Sequence, residues 1–162
     1  MKIFYSYLLF NLSISILIGQ NIIYTKTYPS GKPKIISYII NKGVDKVRIE
    51  EFFSNGILKK EGYYQFGNKQ GKWNSYYSSG NLKKKENFNK NKLDGEMIKW
   101  YQNGKKKEKG IFRNGKREGI FFSWKEDGSL YSKRSFVNGL MCYVIKYSDS
   151  GSITKVDNYC DG

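Results

Sequence analysis

A chain of 162 residues has room for one ordinary domain or a short repeat array, and its 39% hydrophobic content, heavy in 14 Tyr, 10 Phe and 3 Trp, suits a shallow ring-dressed sheet better than one deep core. The absence of histidine excludes Ser-His and Cys-His nucleophilic sites, the HExxH zinc motif and imidazole metal sites. A formal charge of +15 favours anionic partners, although a chain rich in Lys, Asn, Ile and Tyr is also what AT-rich coding produces.

In chain order, the first segment stands apart. After Lys2 no charge occurs until Lys26, and Ile3 to Ile18 form an apolar run broken only by Ser6, Asn11, Ser13 and Ser15. A basic start, such a run and the small residue Gly19 read as an export segment over residues 1–19, cut after Gly19. A retained anchor is the alternative, since Ile22, Ile23 and Tyr24 extend the run toward the ~20 residues of a membrane span. The expected location is the periplasm, the outer surface or the medium, with membrane anchoring left open. No cysteine lies near Gly19 to serve as a lipoprotein attachment point.

Residues 20–49 read as N-terminal capping strands, residues 50–147 as tandem 24-residue hairpins and residues 148–162 as a C-terminal capping strand. A turn glycine recurs at Gly56, Gly80, Gly104 and Gly128, and Gly31 and Gly151 continue the series within one residue. A second column, Gly43, Gly67, Asn91, Gly115 and Gly139, holds the two residue types that enter the left-handed region most cheaply, and so marks a second turn. A third column is Gly71, Gly95 and Gly119. Large apolar residues keep the same period: Ile40, Tyr64, Phe88, Phe112 and Phe136; Trp73, Met97, Phe121 and Ile145; Tyr76, Trp100 and Trp124, beside Tyr77 and Tyr101.

Two short strands per unit, joined only by tight turns, must pair antiparallel with their sequence neighbours. The expectation is an all-β elongated meander, a single twisted sheet of about eleven strands and roughly 50 Å. Pairing about Gly67-Asn68 sets Tyr64 opposite Gly71 and Gly62 opposite Trp73, and the same register sets Phe112 opposite Gly119 and Gly110 opposite Phe121, so that rings shield glycine backbone; a type I′ turn at Asn114-Gly115 would shift that register.

The strings YYSSGNLKKKENFNKNKLDGEMIKWYQNG and WYQNGKKKEKGIFRNGKREGIFFSWKEDGSL resemble MORN repeats of the variant bacterial type. The shared features are the aromatic-x-x-Gly turn from Trp100 to Gly104, the basic stretch Lys105 to Lys107, the Asn114-Gly115 turn and the Glu118-Gly119 pair. The likeness covers residues 50–147 well and the flanks loosely. It implies an elongated antiparallel sheet used for protein or lipid contact, and some bacterial members are called YwqK-type antitoxins. Val47 and Tyr143 stand where other units have the third-column glycine, as in atypical terminal repeats.

Chemistry is sparse. Gln70, Asp94 and Glu118 each precede a third-column glycine, so repeat position explains them better than acid-base work does. No catalytic residue, metal site or cofactor is assigned, and the chain is read as a non-enzyme. Cys142 and Cys160 are candidates for a disulfide in an oxidising compartment, or two free thiols. Lys83, Lys84 and Lys85, Lys105, Lys106 and Lys107, and Lys59 with Lys60 recur at one stage of successive units, and with Tyr76, Trp100 and Trp124 form the candidate binding surface; solvated lysines guarding strands and repeat packing are the plainer readings. The function expected is an exported scaffold that binds a protein partner or an anionic envelope polymer or lipid, with membrane association open and nucleic acid disfavoured. The alternative is an antitoxin or immunity protein that occludes a toxin.

Overall fold

The computed structural model describes residues 21–41, 43 and 45–160; residues 1–19, read above as an export segment, and the last two residues lie outside the described residues. The first strands are β1 (Asn21–Thr27), β2 (Pro33–Asn41), β3 (Lys46–Phe52), β4 (Leu58–Gln65), β5 (Asn68–Tyr76) and β6 (Leu82–Asn89). Then come β7 (Lys92–Leu93), β8 (Gly95–Trp100), β9 (Lys106–Arg113), β10 (Lys116–Trp124), β11 (Leu130–Val137), β12 (Leu140–Tyr147) and β13 (Ile153–Asn158). They form one open antiparallel sheet in sequence order, with β7 a short offshoot on β6. The meander is the one expected from the repeat, with thirteen described strands rather than about eleven: twelve along the path and the two-residue β7.

Two turn chemistries alternate along the sheet. At Gly31, Gly56, Gly80, Gly104, Gly128 and Gly151 the glycine N–H donates to the carbonyl three residues back, and the N–H of that residue donates to the carbonyl just after the glycine. These glycines have φ between 80° and 95°, which an L side chain rarely adopts. At the opposite ends, Phe66-Gly67, Lys90-Asn91, Asn114-Gly115 and Asn138-Gly139 form two-residue turns with both φ values positive, the type I′ signature that fits strand twist.

The type I′ turns correct the expected register. Tyr64 lies opposite Lys69, not Gly71, and Phe112 lies opposite Arg117, not Gly119. Gly71 and Gly119, both at positive φ, then sit in bulges that advance the pairing by two residues, so that beyond the bulge Glu61 faces Asn74 and Lys109 faces Phe122. This restores the second half of the expectation: the Trp73 ring lies over Gly62 and the Phe121 ring over Gly110, where a Cβ would overlap the ring. Gly71, Gly95 and Gly119 instead lie opposite Phe88, Phe112 and Phe136 of the following strand.

Two column members also differ from the expectation. Val144, not Ile145, takes the buried place after Phe121, because Tyr143 replaces the bulge glycine and the pairing of β11 with β12 advances by one residue there instead of two. A one-residue difference exchanges the faces of a strand. Ile40 is 44% exposed in a bulge between Ile39 and Asn41 and leaves the aromatic column.

One face carries the core. Trp73, Met97, Phe121 and Phe136 are buried, with edge-to-face contacts from Tyr64 to Trp73 to Phe88 and from Phe112 to Phe121 to Phe136, at centroid distances of 5.1 to 6.2 Å. Such pairs add about 0.5 to 1.5 kcal/mol each beyond area burial. Cationic stems roof the rings: Lys60 and Lys69 over Trp73, and Arg117 over Phe121 and Phe136. A single layer thus buries rings without a second sheet, by covering them with amphipathic side chains.

Candidate binding face

The opposite face, the ladder face, is built by strand alternation. Because side chains have period two, each strand contributes one residue to any row running across the sheet. One such row is given by successive partners: Glu50, Glu61, Asn74, Lys85, Ile98, Lys109, Phe122, Lys133, Ile145 and Val156. In its middle, Lys85, Lys109 and Lys133 stand on every second strand, which places them about 10 Å apart, with Ile98 and Phe122 between. Lys109 pairs with Glu96 at 2.8 Å, whereas Lys133 has no ion-pair partner among the described residues.

Beside the lysines runs an aromatic row. Tyr76, Trp100 and Trp124 end β5, β8 and β10 just before the glycine turns, each half-buried. Trp124 stacks on Phe122, with centroids 5.9 Å apart and planes at 26°. The row is held from below by the next tyrosine along: Tyr77 donates from its hydroxyl to the Trp100 carbonyl and Tyr101 to that of Trp124, both at 2.8 Å, repeating the Tyr28 bond to the Phe52 carbonyl. Asn55, Asn81 and Asn103 donate across to Ser78, Gln102 and Glu126 carbonyls, so adjacent turns are stitched at each repeat.

At its N-terminal end the same face is acidic. The Glu61 carboxylate accepts from the Tyr76 hydroxyl at 2.6 Å, from Asn74 at 3.0 Å and from Arg48 at 3.0 Å. Burial pushes the Glu61 pKa upward, but these donors and the Arg48 charge outweigh it, and the carboxyl sits below its usual range. Burial, then the hydrogen bond to Glu61 and its charge, push Tyr76 up to about 12. Tyr38 adds a hydrogen bond to Glu50 at 3.1 Å.

The consecutive lysines do not form one stripe. Lys84 turns to the ring face and pairs with Glu86 at 3.0 Å; Lys83 lies over the Tyr77 ring and Lys107 over Tyr101. Lys105 donates to the Asp127 carbonyl, and Lys106 is exposed opposite Trp100. Lys59 pairs with Glu51 at 2.7 Å, and Lys60 covers Trp73. Only Lys85 of these runs enters the row with Lys109 and Lys133. The signal that could have found it was one lysine per 24 residues, hidden inside longer lysine runs.

The acid column is structural in two of its positions. Gln70 accepts from the Lys90 N–H at 3.1 Å and Glu118 from the Asn138 N–H at 3.0 Å, each tying down the next type I′ turn. Glu50 faces Tyr38 and Arg48, whereas Glu51 turns to Lys59. Cys142 and Cys160 are joined, with Cα atoms 4.7 Å apart, and tie the chain end beyond β13 to β12. Among the described residues, no cluster of three or more Cys, Asp or Glu is arranged to hold a metal.

No curated protein matches the chain. The MORN repeat variant family matches residues 48–65, 69–90, 93–114 and 117–138, four tandem units that span β3 to β11 and break at the type I′ turns or beside them. Family and architecture agree on a repeat scaffold suited to binding partners. The chain belongs to the MORN repeat variant family.

Proposed function

We propose that the chain is an exported, non-catalytic repeat scaffold whose ladder face binds an anionic polymer of the cell envelope. The observation that carries this reading is the row Lys85, Lys109 and Lys133, one ammonium per repeat at a regular pitch, beside the aromatic row Tyr76, Trp100 and Trp124. Evenly spaced cations meet evenly spaced anions of a linear chain lying across the strands, and half-buried rings offer flat apolar surface to its repeating units. The export reading rests on the apolar segment from Ile3 to Ile18 and accounts for an envelope ligand.

The test is co-sedimentation of the purified chain with envelope fractions at low and high salt. Retention at low salt, its loss at high salt, and its loss in a Lys85→Ala, Lys109→Ala, Lys133→Ala triple variant that still melts cooperatively are the expected results. Equal retention of the triple variant would overturn the assignment of this face.

A further inference from the structure

The C-terminal edge of the sheet carries a second, independent property. Among the described residues nothing pairs with the outer side of β13. The Tyr159 N–H donates inward to the Cys142 carbonyl. Backbone groups alternate along an antiparallel strand, so Lys155 and Asp157 also turn theirs toward β12, while Val156 and Asn158 turn theirs outward, with no partner strand among the described residues. Val156 is 58% exposed as well. The opposite edge is the more blunted: β1 has register shifts between Ile22 and Tyr24 and between Lys26 and Thr27, whereas β13 has a single shift at its start, between Ile153 and Lys155, and bulges spoil a pairing template.

We infer that β13 pairs antiparallel with β13 of a second copy, about a two-fold axis through Val156. An isologous antiparallel pair must set outward-facing residues against outward-facing residues, which requires the axis to pass through a residue rather than between two. Centred on Lys155, the pair would oppose two ammonium groups; centred on Asp157, it would oppose two carboxylates. Like charges directly opposite destabilise a sheet. Centred on Val156, Lys155 faces Asp157 of the second copy twice, the two Val156 side chains meet, and the outward groups of Val156 bond to each other across the axis. Lys155 and Asp157 already pair at 2.8 Å within one chain, so the same two groups supply all four charges of the joint. The disulfide from Cys160 to Cys142 fixes the strand end beside it, which keeps the edge in place for the second copy. The product is one continuous sheet of twice the length. The joint does not depend on what the ladder face binds.

The experiment is sedimentation of the purified full chain over a concentration series. The unsubstituted chain is expected to reach the mass of two copies. Lys155→Asp should weaken association at least tenfold by placing carboxylates against Asp157, and the double variant K155D/D157K should restore it. Val156→Pro removes an N–H that points away from β12, so the variant should sediment as one copy with its unfolding midpoint kept; should it fail to fold, the charge exchange carries the test alone. A Val156→Cys chain should be captured as a dimer by a short bismaleimide. A single-copy mass throughout the series, a dimer that survives Lys155→Asp or Val156→Pro, or a double variant that stays dissociated would each overturn the inference.

Discussion

Two residues show how the ring face is set. Gly110 is buried because the Phe121 ring, itself 0% exposed, lies where its Cβ would be. Gly110→Ala is therefore expected to cost about 2 to 3 kcal/mol through forced movement of a packed ring. Gly104→Ala, at φ 84° with open space around it, should cost only about 1 kcal/mol, a backbone effect alone. Urea unfolding of both variants checks the order. Glu108 is the other case: its side chain is 11% exposed and meets Lys99 at 2.8 Å, Arg134 at 3.2 Å and Arg117 at 3.7 Å. Burial raises its pKa, but the bond to Lys99 and the three cations prevail, and the folded value lies below the unfolded one. A depressed carboxyl contributes stability that is complete above its unfolded pKa of about 4.3 and fades as pH falls through the folded value. Melting temperature should thus hold from neutral pH to about 5 and drop below that. Glu108→Gln should lower stability by about 2 kcal/mol at pH 7 and flatten the acid decline. The glycines were legible in the sequence because positive φ selects residue type. The Glu108 cluster was not, because its three partners come from three different strands.

Among the elements, turn chemistry was legible and register only in part. Glycine and asparagine columns announce both turns, and a two-residue type I′ turn then fixes the first pairs after it. What a single strand does not reveal is how many residues a bulge inserts. Gly71 and Gly119 insert two and the strand bearing Tyr143 inserts one, and that difference decides that Val144 rather than Ile145 is buried. The tyrosine stitch predicts a modest, local effect: Tyr101→Phe removes the bond to the Trp124 carbonyl and should cost about 1 kcal/mol, measured by thermal unfolding. At the C-terminal element, reduction of the bond between Cys142 and Cys160 releases a constraint of roughly 3 kcal/mol on the loop-entropy estimate. Because repeat arrays hold together through neighbour contacts, amide exchange should rise over residues 153–159 while residues 69–138 keep their protection.

Across the whole molecule, strand alternation sorts the charge of a strongly basic chain by face. Ion pairs and ring cover absorb many lysines, while one row repeats Lys85, Lys109 and Lys133 on the ladder face. Composition and period made the architecture legible from residue order alone. They could not separate the lysines, because neighbours in sequence point to opposite sides and only the observed register says which three align. The measurement that bears most directly on the account is the salt dependence of binding to a linear acidic polysaccharide, for the unsubstituted chain and for Lys85→Ala, Lys109→Ala and Lys133→Ala one at a time. Each substitution is expected to weaken binding at low salt and to reduce the slope of log K against log salt by about one, the loss of one neutralised anion per lysine. Slopes and affinities unchanged by all three substitutions, with Lys84→Ala or Lys105→Ala equally silent or more damaging, would contradict the ladder as the binding face.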